Sequence, residues 1–408
     1  MKVLFIANNE ISFNPRLLKA ADVIIDNGGE VYVFNPVVGI GTEHDYSRFI
    51  NSKKWTVFKS DISKRRISSK LRWFFVSALH LLYTKLWDSH KVRFTKKYYL
   101  NKGLIGAKID KLPYDYIYIN LVDNLPYAVK LKNRLGSKLI YDSQEHFVGQ
   151  YQKYDKKKLN WVKQVESEFS KEIDILVATT NAMKTRLLQD YRLSVPAFRV
   201  RNVPSVRMLQ QRRKSSVELV PDYTYLVWHG MTIYLENTRG VHILVQSIAK
   251  CKSKVKLVLQ GIITSEQSKI LETYIKKYNL KNKILLVPPA STYEIVDSIK
   301  GYHIGLIGEL PEEDNQLLTS SNKLFDYINA GLPVIAPDLP GLNETVKDLD
   351  LGLIYKAGDV SALAEAIDLL ISNKEMYRRF KENCIDKSST ELIWEKDFSS
   401  VWTHMNMN

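Results

Sequence analysis

The chain has 408 residues, 45% hydrophobic and 25% charged; this is enough apolar surface for two domains with real cores, and it excludes an intrinsically disordered chain. The two cysteines, Cys251 and Cys384, lie far apart with no group of histidines beside them, so a disulfide framework and a structural zinc site are unsupported and a reducing compartment is expected. Net charge is +15, of which +11 falls within residues 59–108, where 13 Lys/Arg stand against Asp61 and Asp88.

The opening MKVLFIANNE carries an apolar run about one strand long and no small-residue cleavage pattern, so it reads as a first strand and not a signal peptide. No apolar run approaches the roughly 20 residues needed to span a bilayer. Helical spacing follows over 15–26 and stops at Asn27-Gly28-Gly29, a helix-ending signal. Further strands are predicted over 31–34, 55–58, 116–120, 138–141, 173–178 and 198–201, with helices over 125–135, 159–171 and 182–191. The basic segment 59–108 interleaves Trp73, Phe74, Phe75, Leu79, Leu81, Leu82, Leu86 and Trp87 with Arg65, Arg66, Lys70, Arg72, Lys85, Lys91 and Arg93. That mixture predicts an element lying on an anionic membrane surface; no recognised nucleic-acid motif accompanies it, so nucleic acid is not expected as a partner.

A polar, basic linker is predicted over 206–220, and the pattern then restarts. Strands are expected over 224–228, 255–259, 284–287, 304–307 and 333–336, with helices over 241–250, 266–278, 322–330 and 360–371 and an amphipathic terminal helix over 392–405. Strand–helix alternation of this kind predicts α/β architecture, two doubly wound parallel sheets in tandem: a first domain over 1–205, a second over 221–385 and a terminal helical segment over 386–408. Ligands of such sheets bind beyond the carboxyl ends of the strands.

The stretch 320–341, SSNKLFDYINAGLPVIAPDLPG, carries the most chemistry. Ser320 and Ser321 are N-cap candidates, and Gly331 ends the helix before a buried strand. Unpaired N–H groups and the positive dipole end make the helix N-terminus an anion site. Lys323 in the first turn is unfavourable for the dipole by itself, and an anionic ligand would resolve that conflict. Asp326 follows at i+3, on the same face, where a carboxylate can accept hydrogen bonds from ribose hydroxyls. An ordinary capped helix with a solvated lysine fits the same residues.

The run NKLFDYINAGLPVIAPDLPG, with Glu344 and then GLIYKAGDVSALAEAI, resembles the donor-binding half of retaining family 4 glycosyltransferases, which have the GT-B fold of two Rossmann-like domains facing an interdomain cleft. The resemblance implies that Asp326, in place of the family's usual Glu, binds the nucleotide ribose; where many members carry a sugar-contacting Glu, this chain has Leu318. Trp228-His229-Gly230 followed by Thr238-Arg239-Gly240 resembles the family's Gly loop and Arg-Gly helix start. Arg239 and Lys323 would then clamp the diphosphate and stabilise the leaving group, with His229, Gly230, Ser321, Asn322, Leu324 and the base-side loop at Pro289 around the donor. In the first half, Asn14-Pro15-Arg16 and Tyr141-Asp142-Ser143-Gln144-Glu145-His146-Phe147 resemble family motifs, with Gln144 where relatives have His and His146 displaced by two. Arg16, Asp123, Gln144 and His146 are thereby expected on the acceptor side, and Glu145 at the reacting centre. The terminal helix is expected to pack back on the first domain, anchored by Trp394.

The implied activity is metal-independent hexosyl transfer with retention, with no cofactor and a UDP-, GDP- or similar nucleotide sugar as co-substrate. The implied acceptor is a saccharide or a lipid-linked one, as in assembly of a bacterial surface polysaccharide or glycolipid, by a cytoplasmic protein peripheral to the inner face of the cell membrane. Asp348-Leu349-Asp350 follows an apparent helix and reads as a solvated loop, not a metal site. Two rivals remain: a nucleotide-sugar epimerase on the same fold, and a non-catalytic membrane-associated protein with this fold. A dinucleotide oxidoreductase is disfavoured, because NNEISFNPR and not a Gly-rich fingerprint follows the first strand.

Overall fold

In the computed structural model the described residues are 1–7, 14–35, 55–59, 109, 112–153, 155–209, 219–291 and 294–407. The basic segment falls outside them from residue 60 to 108, as do residues 210–218 of the expected linker, so the membrane-facing element lies outside the described residues.

The β-branched runs form strands β1 Lys2–Ile6, β2 Glu30–Asn35, β3 Trp55–Lys59, β4 Tyr116–Ile119, β5 Lys138–Ser143, β6 Ile175–Ala178 and β7 Ala197–Arg199. They make one parallel sheet, ordered β3-β2-β1-β4-β5-β6-β7. A second parallel sheet, ordered β10-β9-β8-β11-β12-β13, contains β8 Thr224–Thr232, β9 Val255–Ile262, β10 Ile284–Val287, β11 Ile304–Leu306, β12 Val334–Pro337 and β13 Gly352–Tyr355. Central strands are buried on both faces, as Val3, Leu4, Phe5 and Ile6 show in β1 and Leu226, Val227 and Trp228 in β8; this is why they read as continuous apolar runs and not as alternation.

Two compact units result. One comprises Met1–Thr179, Met183–Val200 and Phe398–Asn408, and the other Thr180–Ala182 and Arg201–Asp397. The helices Pro15–Asp26, Leu125–Leu135 and Val241–Lys250 have the expected bounds. The last helix runs Trp394–Met407; its final residues complete the first unit, with Phe398 beside Tyr118 at 6.3 Å and the Tyr116 hydroxyl donating to the Met405 carbonyl. Val206–Leu209, within the expected linker, is a short helix. The sequence predicts neither β13 nor the helix Lys374–Thr390, nor the short helices Ile295–Ile299 and Asp314–Leu318. β13 is only four residues long, and the helix Lys374–Thr390 is highly charged, with Phe380, Cys384 and Ser388 as its buried stripe.

Glu166, on the helix Lys156–Phe169, is a pH liability of the first unit. It is 5% exposed, and burial raises its carboxyl from 4.5 to about 7, opposed by the Tyr191 hydroxyl and reinforced by Asp190. The folded protein keeps this proton where the unfolded chain has lost it, so stability falls as pH rises from about 4.5 to about 7. The expected loss is about 3 kcal/mol. Glu166→Gln should abolish that part of the fall, read as unfolding midpoints of the two proteins across this range; parallel pH profiles would refute the assignment.

Candidate functional site

In the second sheet the strand order reverses between β8 and β11, which makes the loops after these two strands the expected ligand-binding edge. β8 ends in Trp228, His229 and Gly230, and the chain reaches Arg239 just before the helix Val241–Lys250. Gly240 turns the chain with φ of 62°, and a Cβ there would overlap the Gly308 carbonyl oxygen. Only glycine meets both demands. Leu310 N–H donates to the Thr238 carbonyl at 2.8 Å, so the loop after β11 is held along the Arg239 loop on both sides of Glu309.

The helix Asn322–Asn329 begins beside this pair of loops. Ser321 occupies the N-cap in extended conformation, but its side chain makes no capping bond. Its Oγ instead donates to Glu309 Oε1 at 2.9 Å, and Lys323 Nζ donates to the same oxygen at 2.9 Å and to Ser321 Oγ at 3.2 Å. Lys323 also lies over the buried Trp228 ring, 5.5 Å from its centre. The lysine, 12% exposed, and the glutamate, 14% exposed, therefore form a half-sheltered pair at the uncapped helix end. Arg239 is exposed, and its guanidinium has no partner among the described residues.

Asp326 lies one turn on, with Oδ2 3.4 Å from His229 Nε2. That separation would suit an ion pair, but His229 is 8% exposed, and burial, then the Lys323 charge, lower its pKa to about 3. Burial decides the matter: a neutral imidazole faces the carboxylate, and its edge-on contact with the Tyr327 ring at 5.3 Å holds it there. His229 is thus a fixed dipole at neutral pH and not an acid.

The remaining donor-side residues divide. Asn322 accepts a hydrogen bond from Asn202 Nδ2 at 2.9 Å. Leu324 has its side chain in the core, and its N–H donates to the Ser321 carbonyl at 3.0 Å. Pro289 is exposed in the loop after the edge strand β10, two strands from β8. Asp350 of the Asp-x-Asp takes hydrogen bonds from Arg379 and Asn383. Glu309 was not foreseen; the available signal was its place three residues past a short apolar strand, with no motif around it.

In the first unit the expected acceptor-side residues follow β1, β4 and β5, which are neighbours in the sheet. Arg16, expected on the acceptor side, is instead turned into the interior. It is 1% exposed and bound bidentately to Asp142, with Nε to Oδ2 and Nη2 to Oδ1 both at 2.7 Å, and Tyr118 donates to the same carboxylate at 2.8 Å. His146 is likewise committed to the fold. Its Nδ1 accepts from Gly149 N–H at 3.1 Å, which leaves Nε2 to donate to Asp190 at 3.0 Å. Asp123 pairs with Lys158 at 2.9 Å, and Lys158 in turn lies over the Trp161 ring at 4.1 Å. Gln144 has a buried Nε2 without a hydrogen-bond partner among the described residues. Glu145 is half-buried, and its carbonyl accepts from Ser143 Oγ.

Residues 224–373 match the family model described as Glycosyl transferases group 1. A capsular polysaccharide biosynthesis glycosyltransferase, CapM of Staphylococcus aureus, is 26% identical over 165 residues; the match takes in 39% of this chain and 41% of CapM. Among solved structures, sucrose-phosphate synthase from Thermosynechococcus elongatus superposes with a TM-score of 0.73 at 14% identity, covering 100% of this chain and 98% of that one. HepE of Anabaena, solved in complex with UDP, has a TM-score of 0.66 at 15% identity and full coverage of both chains. The chain thus has the GT-B fold, and its residues 224–373 match the model of the glycosyl transferases group 1.

Proposed function

We propose that this chain is a glycosyltransferase that moves a hexose from a nucleoside-diphosphate donor to a saccharide or lipid-linked acceptor, with retention and without a metal, in the assembly of a surface polysaccharide or glycolipid. The observation that carries this reading is Lys323 at an uncapped helix N-terminus together with Arg239 on the neighbouring loop, whose guanidinium has no partner among the described residues. A departing nucleoside diphosphate gains negative charge as the glycosidic bond breaks. Two cations and the helix N–H groups stabilise that charge where it develops, as a divalent ion does in other enzymes. In this reading Asp326 accepts from the ribose hydroxyls, and the neutral His229, with Gly230, borders the diphosphate and sugar. Gln144 and Glu145 serve the acceptor or the reacting sugar, with Asp123 on the same edge. Arg16 and His146 support the fold beneath them.

Several features support the reading beyond the site itself: CapM is a capsular polysaccharide glycosyltransferase, and HepE binds UDP. Calorimetry and transfer assays across common UDP-, GDP-, ADP- and dTDP-sugars test it. Binding of one base class, with sugar transfer or slow hydrolysis, is expected; a chain that binds no nucleotide and turns over no donor is not this enzyme.

We further propose that the segment 59–108 rests on an anionic membrane surface at the inner face of the cell membrane. Among the described residues no helix is long and apolar enough to cross a membrane. The net +11 of this segment, mixed with aromatic residues, supports a surface attachment. The protein should co-sediment with vesicles containing anionic lipid and be released by salt, whereas equal binding to neutral vesicles would contradict the electrostatic part.

A further inference from the structure

We infer that Glu309 is a built-in competitor of the substrate's diphosphate: it takes up part of the Lys323 charge in the nucleotide-free site and thereby speeds release of the nucleoside diphosphate after transfer. The inference rests on the donor-site reading above.

Glu309 lies where a group must lie to do this. Gly308 packs on the backbone of Arg239 and Gly240, and Leu310 is hydrogen-bonded to Thr238, so the residue between them is held beside the Arg239 loop. Its side chain reaches across to Lys323 and Ser321, at 2.9 Å from each. A carboxylate is therefore fixed against the cation that closes on the phosphates. One of its oxygens takes both hydrogen bonds; the other, Oε2, is buried without a partner. Phosphate oxygens only accept, so they cannot satisfy that oxygen and are repelled by it.

Lys323 does not need Glu309 to stay in place. Ser321 Oγ and the Trp228 ring also hold its ammonium, and its own helix fixes its backbone. The carboxylate's main effect on a bound diphosphate is thus unfavourable. An enzyme whose product keeps both cation contacts after the sugar has left gains from a counter-charge that returns to Lys323 as the product leaves. Affinity differences of this kind appear mostly in the dissociation rate.

Glu309→Gln tests this, because the amide keeps the shape and the acceptor for Lys323 and Ser321 while removing the charge. Calorimetry with UDP, GDP, ADP and dTDP, and stopped-flow displacement of the one that binds, are the measurements. Glu309→Gln should bind that nucleotide about 10-fold more tightly, with correspondingly slower dissociation and stronger product inhibition. In a Lys323→Gln background the same change should bring a smaller gain, since only the direct repulsion of the phosphates by the carboxylate is then relieved. Unchanged or weaker nucleotide binding in Glu309→Gln would overturn the inference and make Glu309 a mere anchor, as would a full gain that survives loss of Lys323. Failure of the unsubstituted protein to bind any of the four nucleotides would instead reject the donor site itself.

Discussion

Lys323→Ala should lower kcat/KM by about 100- to 1,000-fold, the range found when a single preorganised group facing a developing oxyanion is removed. The lysine stands at the one end of the helix Asn322–Asn329 where backbone N–H groups lack a side-chain cap, so it adds a full charge to an existing partial one. Its loss should fall on donor binding and on kcat together, because the phosphates carry charge in the ground state and more in the transition state. Removing the ammonium also strips Glu309 of a partner and leaves it only Ser321. Lys323→Gln is therefore the companion variant, since its amide can still donate to Glu309. Both should retain the native circular-dichroism spectrum, and both should lose donor affinity in calorimetry. Donor affinity unchanged in the two variants would remove Lys323 from the site.

The second large effect concerns stability. Asp142→Ala should destabilise the first unit by about 3–5 kcal/mol, because it abandons a buried guanidinium. Asp142 binds both Nε and Nη2 of Arg16 and accepts from Tyr118, all in the interior of the sheet. The double change Arg16→Met with Asp142→Leu should be much milder, since no charge is left without its partner. With two units in the chain, a single unfolding curve is ambiguous. Hydrogen exchange of peptides spanning β1, β4 and β5 reports on this unit alone. Equal protection in the single and double variants would show that the ion pair is not what holds these strands.

The sequence was most informative where one physical demand dominates. Strands buried on both faces had to be apolar runs, and helices such as Pro15–Asp26 and Val241–Lys250 carried both their periodicity and their stop signals. That Lys323 and Asp326, at i and i+3, share one face of their helix was legible for the same reason, although Lys323 pairs with Glu309 and Asp326 lies against His229. Long-range partners were not legible. Arg16 looks like a surface cation until Asp142, 126 positions away, is placed against it. His146 looks like a displaced ligand until Gly149 and Asp190 take both its nitrogens. Glu309 has no pattern around it, and only the packing of Gly240 against Gly308 explains why an acid at that point meets Lys323. The N-cap position of Ser321 was legible, but its hydrogen bond was not, since Ser321 spends its hydroxyl on Glu309 and not on the helix it precedes.

The return of residues Phe398–Asn408 to the first unit orders events in time. A ribosome adding roughly 5–20 residues per second delivers β1 to β7 well before the segment that covers Tyr116 and Tyr118 exists. Until that segment emerges, the aromatic face that Phe398 covers stays open and the Tyr116 hydroxyl lacks its Met405 acceptor. The second unit has every residue of its sheet synthesised before this happens. The half of the molecule made first is thus the half completed last, and a nascent chain stalled short of Phe398 would present that uncovered face to chaperones.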